Sequence, residues 1–393
     1  MAQTVFYIRK KFSAYIYYIL LLLLLVLTGC GEAFVPSVPG TAKTSPVHTI
    51  SKPSVVGGQL LHIGKNQLFG RDNEPVRLLG VNRSGTEYAC IQNNGIFDGP
   101  HDLPSVQAML NWHINAVRVP LNEDCWLNIN GVSANYGGAN YRQAIADYVT
   151  LLISNKITPI LDLHWSAPGN TPATSLLPMP DRDHSLTFWK QVATAYKNNT
   201  AVVFDLFNEP YPDNNHDTTT GWKCWLSGTN PTSCPFGTAG LTYNAAGMQE
   251  LLTAVRNTGA RNVILLGGIQ HSNSLDQWLT YKPTDPLNEL APSWHVYNNN
   301  QCKTLACWQR TIVPLMQNYP LVGDEIGEND NAGSFLTQVM KFLDAPAPGI
   351  PAQSYLAWVW TTNQAPYNVI SDYDGTPSTP YGSTYKSHLL SLQ

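Results

Sequence analysis

Two glutamates follow apolar runs and have the residue type needed for a pair of catalytic carboxyl groups. Glu209 ends the run VVFDLFNEP (202–210), and Glu325 lies in PLVGDEIGE (320–328). Cleavage of a glycosidic bond requires one protonated carboxyl group at the leaving oxygen and one ionised carboxylate at the sugar. We therefore expect Glu209 and Glu325 to face each other across a cleft, in environments that push their pKa values apart.

The same pattern recurs along the chain, because most short apolar runs stop at a polar or aromatic residue. The run ending at Gly267 and Gly268 is the exception. Any one of these residues alone can be explained as a salt-bridge partner or a buried core residue, but their joint occurrence favours one shared site. The residues are Asn82, Arg118, His164, Trp165, Asn208, His295, Tyr297 and Trp360. Among them, Arg118, His295 and Tyr297 are candidates to keep Glu325 ionised by charge and hydrogen bonding.

Eight apolar runs alternate with stretches of helical periodicity, which places these residues on a common frame. Apolar strands alternating with helices indicate a parallel sheet covered by helices. Eight such units at this length predict an α/β fold consisting of a single (β/α)8 TIM barrel, in which chemistry lies at the C-terminal ends of the strands. A hairpin within residues 61–79 is expected to cap the opposite end. The runs are 78–82, 115–121, 158–165, 202–210, 262–268, 292–298, 320–328 and 355–362, and the helical faces are Ile145, Tyr148, Val149, Leu152, Ile153 and Met248, Leu251, Leu252, Val255.

One local problem concerns Asn208 and Glu209. Side chains alternate between the two faces of a strand, so neighbouring residues should point in opposite directions. If both residues serve one site, the backbone must turn or bulge there, and Pro210 helps to end the strand because it has no N–H to donate.

The N-terminal region predicts export. Residues 1–30 have basic residues, an apolar run and the tetrapeptide LTGC, and they resemble a lipoprotein-type signal peptide whose Cys30 is lipidated. The apolar run is shorter than the about 20 residues of a transmembrane helix, although an uncleaved anchor and plain secretion stay open. Residues 31–54, rich in Pro, Ser and Thr, predict a flexible tether, and residues 55–393 a single catalytic domain.

Cysteine usage agrees with export. The chain has seven cysteines, and setting Cys30 aside leaves six that fall into neighbouring pairs. An exported protein permits disulfides, although six cysteines allow fifteen connectivities. A zinc site is disfavoured, because the spacing lacks C-x-x-C and a flanking histidine cluster. We favour Cys90–Cys125, Cys224–Cys234 and Cys302–Cys307, since the last two pairs each close a short loop.

Composition and absent motifs exclude several classes of function. The formal net charge of −4 gives no reason to expect nucleic-acid binding. No G-x-S-x-G, H-E-x-x-H or glycine-rich phosphate loop occurs, which argues against a serine hydrolase, a zinc protease and a dinucleotide enzyme. Two carboxylates sharing a metal stay open. The 11 tryptophans and 19 tyrosines suit stacking on sugars, for which Trp126, Trp165, Trp222 and Trp225 are candidates unless they pack in the core.

An ordered set of segments resembles glycoside hydrolase family 5, the cellulase family, over essentially the whole chain after the tether. The segments are GVNRSGTE, NAVRVP, DLHW, FDLFNEP, WHVY, GDEIGE and AWVWTT. The resemblance implies a retaining double displacement without a cofactor, with Glu209 as acid/base and Glu325 as nucleophile. It implies an aromatic platform after the eighth strand, which we assign to Trp360 rather than Trp358.

The resemblance also implies roles for the surrounding residues. Asn208 is expected to bind the sugar 2-hydroxyl, and Arg118 and Tyr297 to contact the nucleophile. His164 and His295 are expected to line the same subsite. A long loop, residues 213–240, is expected to form a wall beside Glu209 and to influence substrate choice.

These inferences converge on an exported, cell-surface or secreted, retaining endo-β-glycanase acting on β-1,4-glucan. The expected partner is a β-linked polysaccharide or oligosaccharide, with membrane contact only through the lipid anchor and a monomeric state. Alternatives are a β-mannanase, another hemicellulase or an exo-β-glycosidase of the same family. A surface glycan-binding protein without catalysis is a further alternative.

Overall fold

The structure is a computed structural model that describes residues 60–229, 234–236 and 242–392. The predicted signal segment, Cys30 and the predicted tether lie outside the described residues. In the part of the chain that is described, no helix is long and apolar enough to cross a membrane.

Eight parallel strands form a closed barrel, which confirms the predicted (β/α)8 fold. Each predicted apolar run overlaps one barrel strand. The barrel order is β10-β11-β4-β5-β6-β7-β8-β9. The strands are β4 (Leu79–Asn82), β5 (Ala116–Asn122), β6 (Thr158–Trp165), β7 (Val203–Asp205), β8 (Ile264–Gly267), β9 (Leu290–Tyr297), β10 (Val322–Gly327) and β11 (Ser354–Ala357).

Helices connect successive strands and surround the barrel. The predicted apolar faces are buried in α3 and α7, as the helical periodicity indicated. The helices are α1 (Leu103–Leu110), α2 (Glu123–Leu127), α3 (Ala139–Ser154), α4 (Ser185–Tyr196), an irregular turn α5 (Pro212–Asn215), α6 (Thr219–Ser227), α7 (Met248–Arg256), α8 (Trp278–Tyr281), α9 (Leu305–Thr311), α10 (Val313–Met316), α11 (Ser334–Asp344) and α12 (Tyr381–Ser391).

A small antiparallel sheet closes the N-terminal end of the barrel. Its strands are β1 (His62–Gly64), β2 (Gln67–Phe69) and β3 (Pro75–Val76). Leu61 and Leu68 pack against residues at the starts of barrel strands, including Ala116 and Val203. This apolar plug confirms the expected cap and keeps water from entering the barrel at this end.

Inward-facing residues change in character along the barrel axis. On β5, Ala116 belongs to the apolar plug and Arg118 lies two residues further on. On β6, Ile160 is followed by Asp162 and then by His164. Because side chains alternate along a strand, every second residue enters the barrel. The lower layer is therefore apolar, the middle layer is charged, and the upper layer reaches the rim.

Three disulfides join the predicted pairs. They are Cys90–Cys125, Cys224–Cys234 and Cys302–Cys307. The first links the loop after β4 to α2, the second ties α6 to the segment that follows it, and the third closes a short loop before α9. All three connectivities proposed from the sequence are confirmed.

Trp360 belongs to the core rather than to a cleft. It is fully buried, and its ring meets that of Trp112 edge-on at 4.9 Å. Trp358, two residues earlier, is only partly buried and its ring stacks on His164 at 5.6 Å. Strand β11 ends at Ala357, so the alternation that would place both tryptophans on one face does not continue past it.

Replacing Trp360 should therefore cost stability. We expect Trp360→Ala to lower the free energy of unfolding by about 3–5 kcal/mol, because it leaves a large cavity in a packed core. Equilibrium unfolding in urea, followed by fluorescence and circular dichroism, measures this change. The matched variant Trp358→Ala should lose less stability, and equal losses in both variants would contradict the assignment.

Candidate active site

Arg118 is the centre of the charged layer. Its guanidinium is fully buried and donates hydrogen bonds to Asp205 at 2.8 Å and to Glu325 Oε1 at 2.8 Å. It also lies 3.1 Å from Asp162 and 3.5 Å from Asp324. Burial alone would lower the pKa of Arg118, but these carboxylates outweigh it and raise the pKa well above its ordinary value. The guanidinium is therefore a permanent cation inside the barrel.

The carboxylates of this layer do not behave alike. Burial is the main cause that raises the pKa of Asp205 well above its ordinary value, although Arg118 opposes the rise. The pKa of Asp324 is lowered to about 2, because His295 and Arg118 together outweigh its burial. Asp324 is therefore ionised at neutral pH, whereas Asp205 keeps its proton to higher pH than an exposed aspartate does. The layer thus avoids the cost of several unpaired buried charges.

An irregularity in β10 brings two acidic residues inward together. The pairing of β10 with β9 shifts register between Val322 and Glu325, and its pairing with β11 shifts between Gly323 and Ile326. Such a bulge breaks the alternation of a strand. As a result, consecutive Asp324 and Glu325 both contact Arg118.

Glu325 is held by two donors. Arg118 Nη1 donates to Oε1, and the Tyr297 hydroxyl donates to Oε2 at 2.7 Å. Burial raises the pKa of Glu325, while His295 and Arg118 oppose that rise. The pKa of Tyr297 is raised well above its ordinary value by burial and by the negative charge of Glu325, so its phenol stays protonated and remains a donor. Both contacts favour the ionised form of Glu325.

Glu209 reaches the same space through a backbone turn. Strand β7 ends at Asp205, and Glu209 has φ +53°, in the left-handed region. This conformation is uncommon for a residue with a side chain and occurs preferentially at functional sites. The turn replaces strand alternation, so Asn208 and Glu209 both line the pocket.

His295 connects the two glutamates. Its Nδ1 lies 3.1 Å from Glu209 Oε1 and 3.4 Å from Glu325 Oε2. Burial alone would lower the pKa of His295, but Glu325 and Asp324 raise it well above its ordinary value. One ligand atom from each of Glu209, His295 and Glu325 lies within 4.8 Å of the others.

The surroundings of Glu209 favour its ionised form. Burial raises its pKa, but the neighbouring imidazoles of His271 and His295 outweigh that effect and lower the pKa below its ordinary range. Glu209, His295 and Glu325 each place one atom within 4.8 Å of the others, and the raised pKa of His295 means that its imidazole can hold a proton beside Glu209. These three residues can supply one proton next to an ionised carboxylate.

A second histidine and an aromatic ring form the adjacent wall. His164 Nδ1 bonds to Asp162 at 2.6 Å, and its Nε2 lies 3.4 Å from the Asn208 amide nitrogen. The Asn208 amide oxygen accepts from Arg118 Nη2 at 3.0 Å, which leaves the NH2 group facing the pocket. Trp358 stacks on His164 with an interplanar angle of 4°. These groups offer a flat surface and donors to a polar ligand.

The platform assignment to Trp360 is wrong, because Trp358 lines the pocket and Trp360 is buried behind it. Trp165 remains partly exposed beside Tyr88, with 6.4 Å between ring centroids, outside this pocket. The suggestion that other tryptophans stack on sugars fails for three of them, since they are at most 1% exposed. These three are Trp126, Trp222 and Trp225.

The described residues of the long loop 213–240 do not supply the expected wall. None of its described residues lines the pocket. Instead, α6 packs on the neighbouring helix α7, and Trp225 Nε1 donates to the carbonyl of Gly267 at 2.9 Å. The tryptophans of this loop therefore stabilise the outside of β8.

Several lining residues lie on loops that sequence analysis left out. The pocket has a volume of about 390 Å³. His271 follows the strand that seemed to lack a functional residue, and its Nδ1 lies 3.3 Å from Glu209 Oε2. Gly267 and Gly268 before it indicate a tight turn, but they do not indicate that a residue of this turn contacts Glu209. The lining is His164, Asn208, Glu209, His271, Tyr297, Asn299, Asn300, Glu325, Trp358 and Tyr367.

Comparisons with curated proteins find distant cellulases. The chain is 22% identical to Cellulase CelDZ1 of Thermoanaerobacterium sp. over 256 residues, which is 64% of this chain and 56% of that protein. It is 23% identical to Endoglucanase MaCel5A of Microbulbifer sp. over 154 residues, which is 38% of this chain and 26% of that protein. The chain thus spans little more than half the length of the first relative and about a quarter of the second.

Solved structures share the fold at low identity. The β-glucanase SdGluc5_26A of Saccharophagus degradans matches with a TM-score of 0.64 and 18% identity, covering 89% of this chain and 98% of that one. The same enzyme has been solved with cellotetraose. XacCel5A, solved with cellopentaose, matches with a TM-score of 0.57 and 19% identity, covering 79% and 99% of the two chains.

A family model described as cellulase, glycosyl hydrolase family 5, matches residues 81–364, which contain every pocket residue except Tyr367. That match covers well over half of the chain, from the third residue of β4 to the turn after β11. The chain therefore belongs to glycosyl hydrolase family 5, the cellulase family.

Proposed function

We propose that this protein is a retaining endo-β-1,4-glucanase in which Glu325 is the nucleophile and Glu209 the acid/base. The observation that carries the proposal is the spacing of the carboxylates. An oxygen of Glu209 and an oxygen of Glu325 lie within 4.8 Å of each other. Retaining enzymes keep their carboxyl groups about 5–5.5 Å apart, whereas inverting enzymes leave about 6.5–9.5 Å for a water molecule.

In the first step a Glu325 oxygen attacks the anomeric carbon, and the bond from that carbon to the leaving oxygen breaks. Attack consumes the negative charge of Glu325, which is a main support of the proton on His295. As that support disappears, the proton moves through Glu209 to the leaving oxygen, which lies on the Glu209 side. The loss of negative charge on Glu325 thus drives the transfer of a proton to Glu209 and on to the leaving oxygen.

In the second step Glu209 is ionised and takes a proton from water as the water attacks the anomeric carbon. The ester bond to Glu325 breaks and the carboxylate returns to Arg118 and Tyr297. These two donors stabilise the leaving carboxylate in this step as they stabilise the attacking one in the first. Asn208 presents its NH2 group for the 2-hydroxyl, and Trp358 with His164 supports the sugar ring.

Glucan as the substrate is supported by the relatives. Curated relatives are a cellulase and an endoglucanase, and two structural neighbours were solved with cello-oligosaccharides. The aromatic surface at Trp358 and the amide groups of Asn299 and Asn300 suit a neutral, hydroxyl-rich chain. Endo action and a monomeric state are part of the proposal.

Three disulfides fit an oxidising compartment outside the cytoplasm. We extend the proposal to a cell-surface enzyme that is lipidated at Cys30 and carried on the tether of residues 31–54. Mass spectrometry of the membrane fraction, with Cys30→Ser as the control, tests the lipid anchor.

Release of reducing ends from a panel of β-glycans tests the function. We expect hydrolysis of β-1,4-glucan to exceed that of β-mannan and xylan, with oligosaccharides of several lengths among the first products. Glu325→Gln should lose activity by several orders of magnitude, because no nucleophile remains. Glu74→Gln, on an exposed turn, is the matched control and should remain active. Undiminished activity of Glu325→Gln would overturn the mechanism, and glycan binding without turnover by the wild type would overturn the enzyme assignment.

The stereochemistry of hydrolysis tests the spacing argument separately. Proton NMR of the first products should show the β-anomer before mutarotation, since two displacements retain configuration. Initial appearance of the α-anomer would mean that a single displacement occurs.

The pH profile tests how Glu325 is kept ionised. Removing the hydroxyl in Tyr297→Phe raises the pKa of Glu325, because a hydrogen bond to the charged form is lost. The acid limb of kcat/KM follows ionisation of the nucleophile, so it should move to higher pH by about one to two units, given about 1.5–3 kcal/mol for such a bond. Tyr367→Phe removes a hydroxyl from the same pocket without a hydrogen bond to Glu325 in the described structure, and its acid limb should stay in place. A uniform loss of activity at every pH in Tyr297→Phe would contradict this assignment.

A further inference from the structure

The loop after β8 has an unusual backbone that brings one side chain to Glu209. It starts at Gly268, where a Cβ atom would collide with the carbonyl oxygen of Ser274. Ile269 and Ser274 pair across the loop, with the N–H of Ser274 donating to the Ile269 carbonyl at 3.0 Å. Glycine therefore permits a turn that folds directly back on its own strand.

Three successive residues of this turn have left-handed backbones. Gln270, His271 and Ser272 each have φ +56°. A single such residue with a side chain is uncommon, and backbone strain of this kind persists where surrounding contacts hold it and tends to occur at functional sites. The turn therefore indicates a position in which one side chain must point in a particular direction.

Contacts on both sides hold the turn. The His271 N–H donates to the carbonyl of Pro210 at 3.0 Å, so the turn is bonded to the segment that carries Glu209. The His295 N–H donates to the carbonyl of Ser272 at 3.1 Å, which joins the turn to β9. The His271 ring stacks on Tyr211, with centroids 4.6 Å apart and planes at 22°. Backbone and ring together fix the imidazole.

The imidazole faces the carboxylate oxygen that His295 does not contact. His271 Nδ1 lies 3.3 Å from Glu209 Oε2, while His295 Nδ1 lies 3.1 Å from Oε1. His295 is 1% exposed and also approaches Glu325, whereas the side chain of His271 is 34% exposed and borders the pocket. Glu325, Tyr211 and Tyr297 are the other titratable groups near Glu209. Each oxygen of Glu209 thus has its own imidazole.

We infer that His271 is a positioning residue for the acid/base Glu209, donating from Nδ1 to Oε2 when Glu209 acts as the base of the second step. The inference rests on the proposed function and assigns this residue a part in it. A donor at Oε2 stabilises the ionised carboxylate that must accept a proton from water. The same donor fixes the plane of the Glu209 carboxyl group. Oε1 is then free to exchange a proton with His295.

Two variants separate the donor from the ring. His271→Phe keeps a ring for Tyr211 and removes the donor, whereas His271→Asn keeps an N–H near the Nδ1 position and removes the ring. With 2,4-dinitrophenyl β-cellobioside, whose leaving group needs no protonation, the second step limits the rate. We expect kcat to fall about 10-fold in His271→Phe, less than the about 10²–10⁴-fold that a whole general base contributes, because the carboxylate loses its fixed orientation. A burst of dinitrophenol should accompany this fall as the covalent intermediate accumulates. His271→Asn should recover most of that loss.

The basic limb of kcat/KM on cello-oligosaccharides gives a second kinetic readout. Activity falls along the basic limb because the enzyme loses the proton that it must give to the leaving oxygen in the first step. Without the donor the ionised form of Glu209 is less stable, so the limb should move to higher pH in His271→Phe and return toward the wild-type position in His271→Asn. A rise in KM with unchanged kcat and unchanged limbs would show that His271 only borders the leaving-group subsite, and would overturn the inference.

A measurement without substrate keeps this inference separate from the proposed function. Carbon-13 NMR of glutamate carboxyl groups, with the Glu209 signal assigned by its absence in Glu209→Gln, reports the pKa of Glu209 directly. We expect that pKa to rise by about one unit in His271→Phe, the equivalent of about 1.4 kcal/mol. An unchanged pKa in a variant that circular dichroism shows to be folded would overturn the inference, whatever glycan the wild type hydrolyses. If His271→Phe does not fold, His271→Gln, whose amide cannot reach the Nδ1 position, serves in its place with the same expected direction.

Discussion

A single buried cation sets the conditions for the whole site. Arg118 lies inside the barrel without access to solvent and is surrounded by Asp162, Asp205, Asp324 and Glu325. A buried guanidinium is tolerated only when it is paired and its N–H groups are satisfied. The barrel meets this requirement because β6, β7 and β10 bring these inward carboxyl groups to the height of Arg118 on β5. The cation therefore constrains the register of these strands as much as it serves the chemistry.

The barrel geometry explains how so many polar groups can meet in one layer. Apolar residues fill the end closed by the small sheet, and the inward positions two residues further on are charged. The rim then departs from regular strand geometry at the two glutamates. A bulge in β10 brings Asp324 and Glu325 inward together, and a left-handed residue places Glu209 beside Asn208. The regular strands thus form the barrel, and the two local irregularities orient Glu325 and Glu209 into the pocket.

Sequence reasoning recovered the parts of this arrangement that follow from periodicity. The eight apolar runs, the helix faces and the residues where runs stop were visible, because burial of a parallel strand leaves a continuous apolar signal. Asp162, Asp205 and Asp324 escaped attention because each sits inside an apolar run and has a role only relative to Arg118. Trp358 and Trp360 could not be separated, since alternation applies only up to Ala357, where β11 ends. His271 was missed because its placement depends on a turn between Gly268 and Ser274 that no local pattern encodes. The sequence shows which polar residues are present, but it does not show which residue each of them contacts.

The contrast between the partners of the two glutamates gives the site its asymmetry. Glu325 is held by a guanidinium that never loses its proton and by a phenol whose pKa is raised. Glu209 lies beside two imidazoles, His271 and His295, a side-chain type that can both donate and accept a proton. A nucleophile must be ionised whenever substrate arrives, and permanent donors suit that need. An acid/base must gain and lose a proton once in every cycle, and titratable partners suit that need. In the proposed mechanism, two identical side chains thus acquire opposite duties from the partners placed beside them.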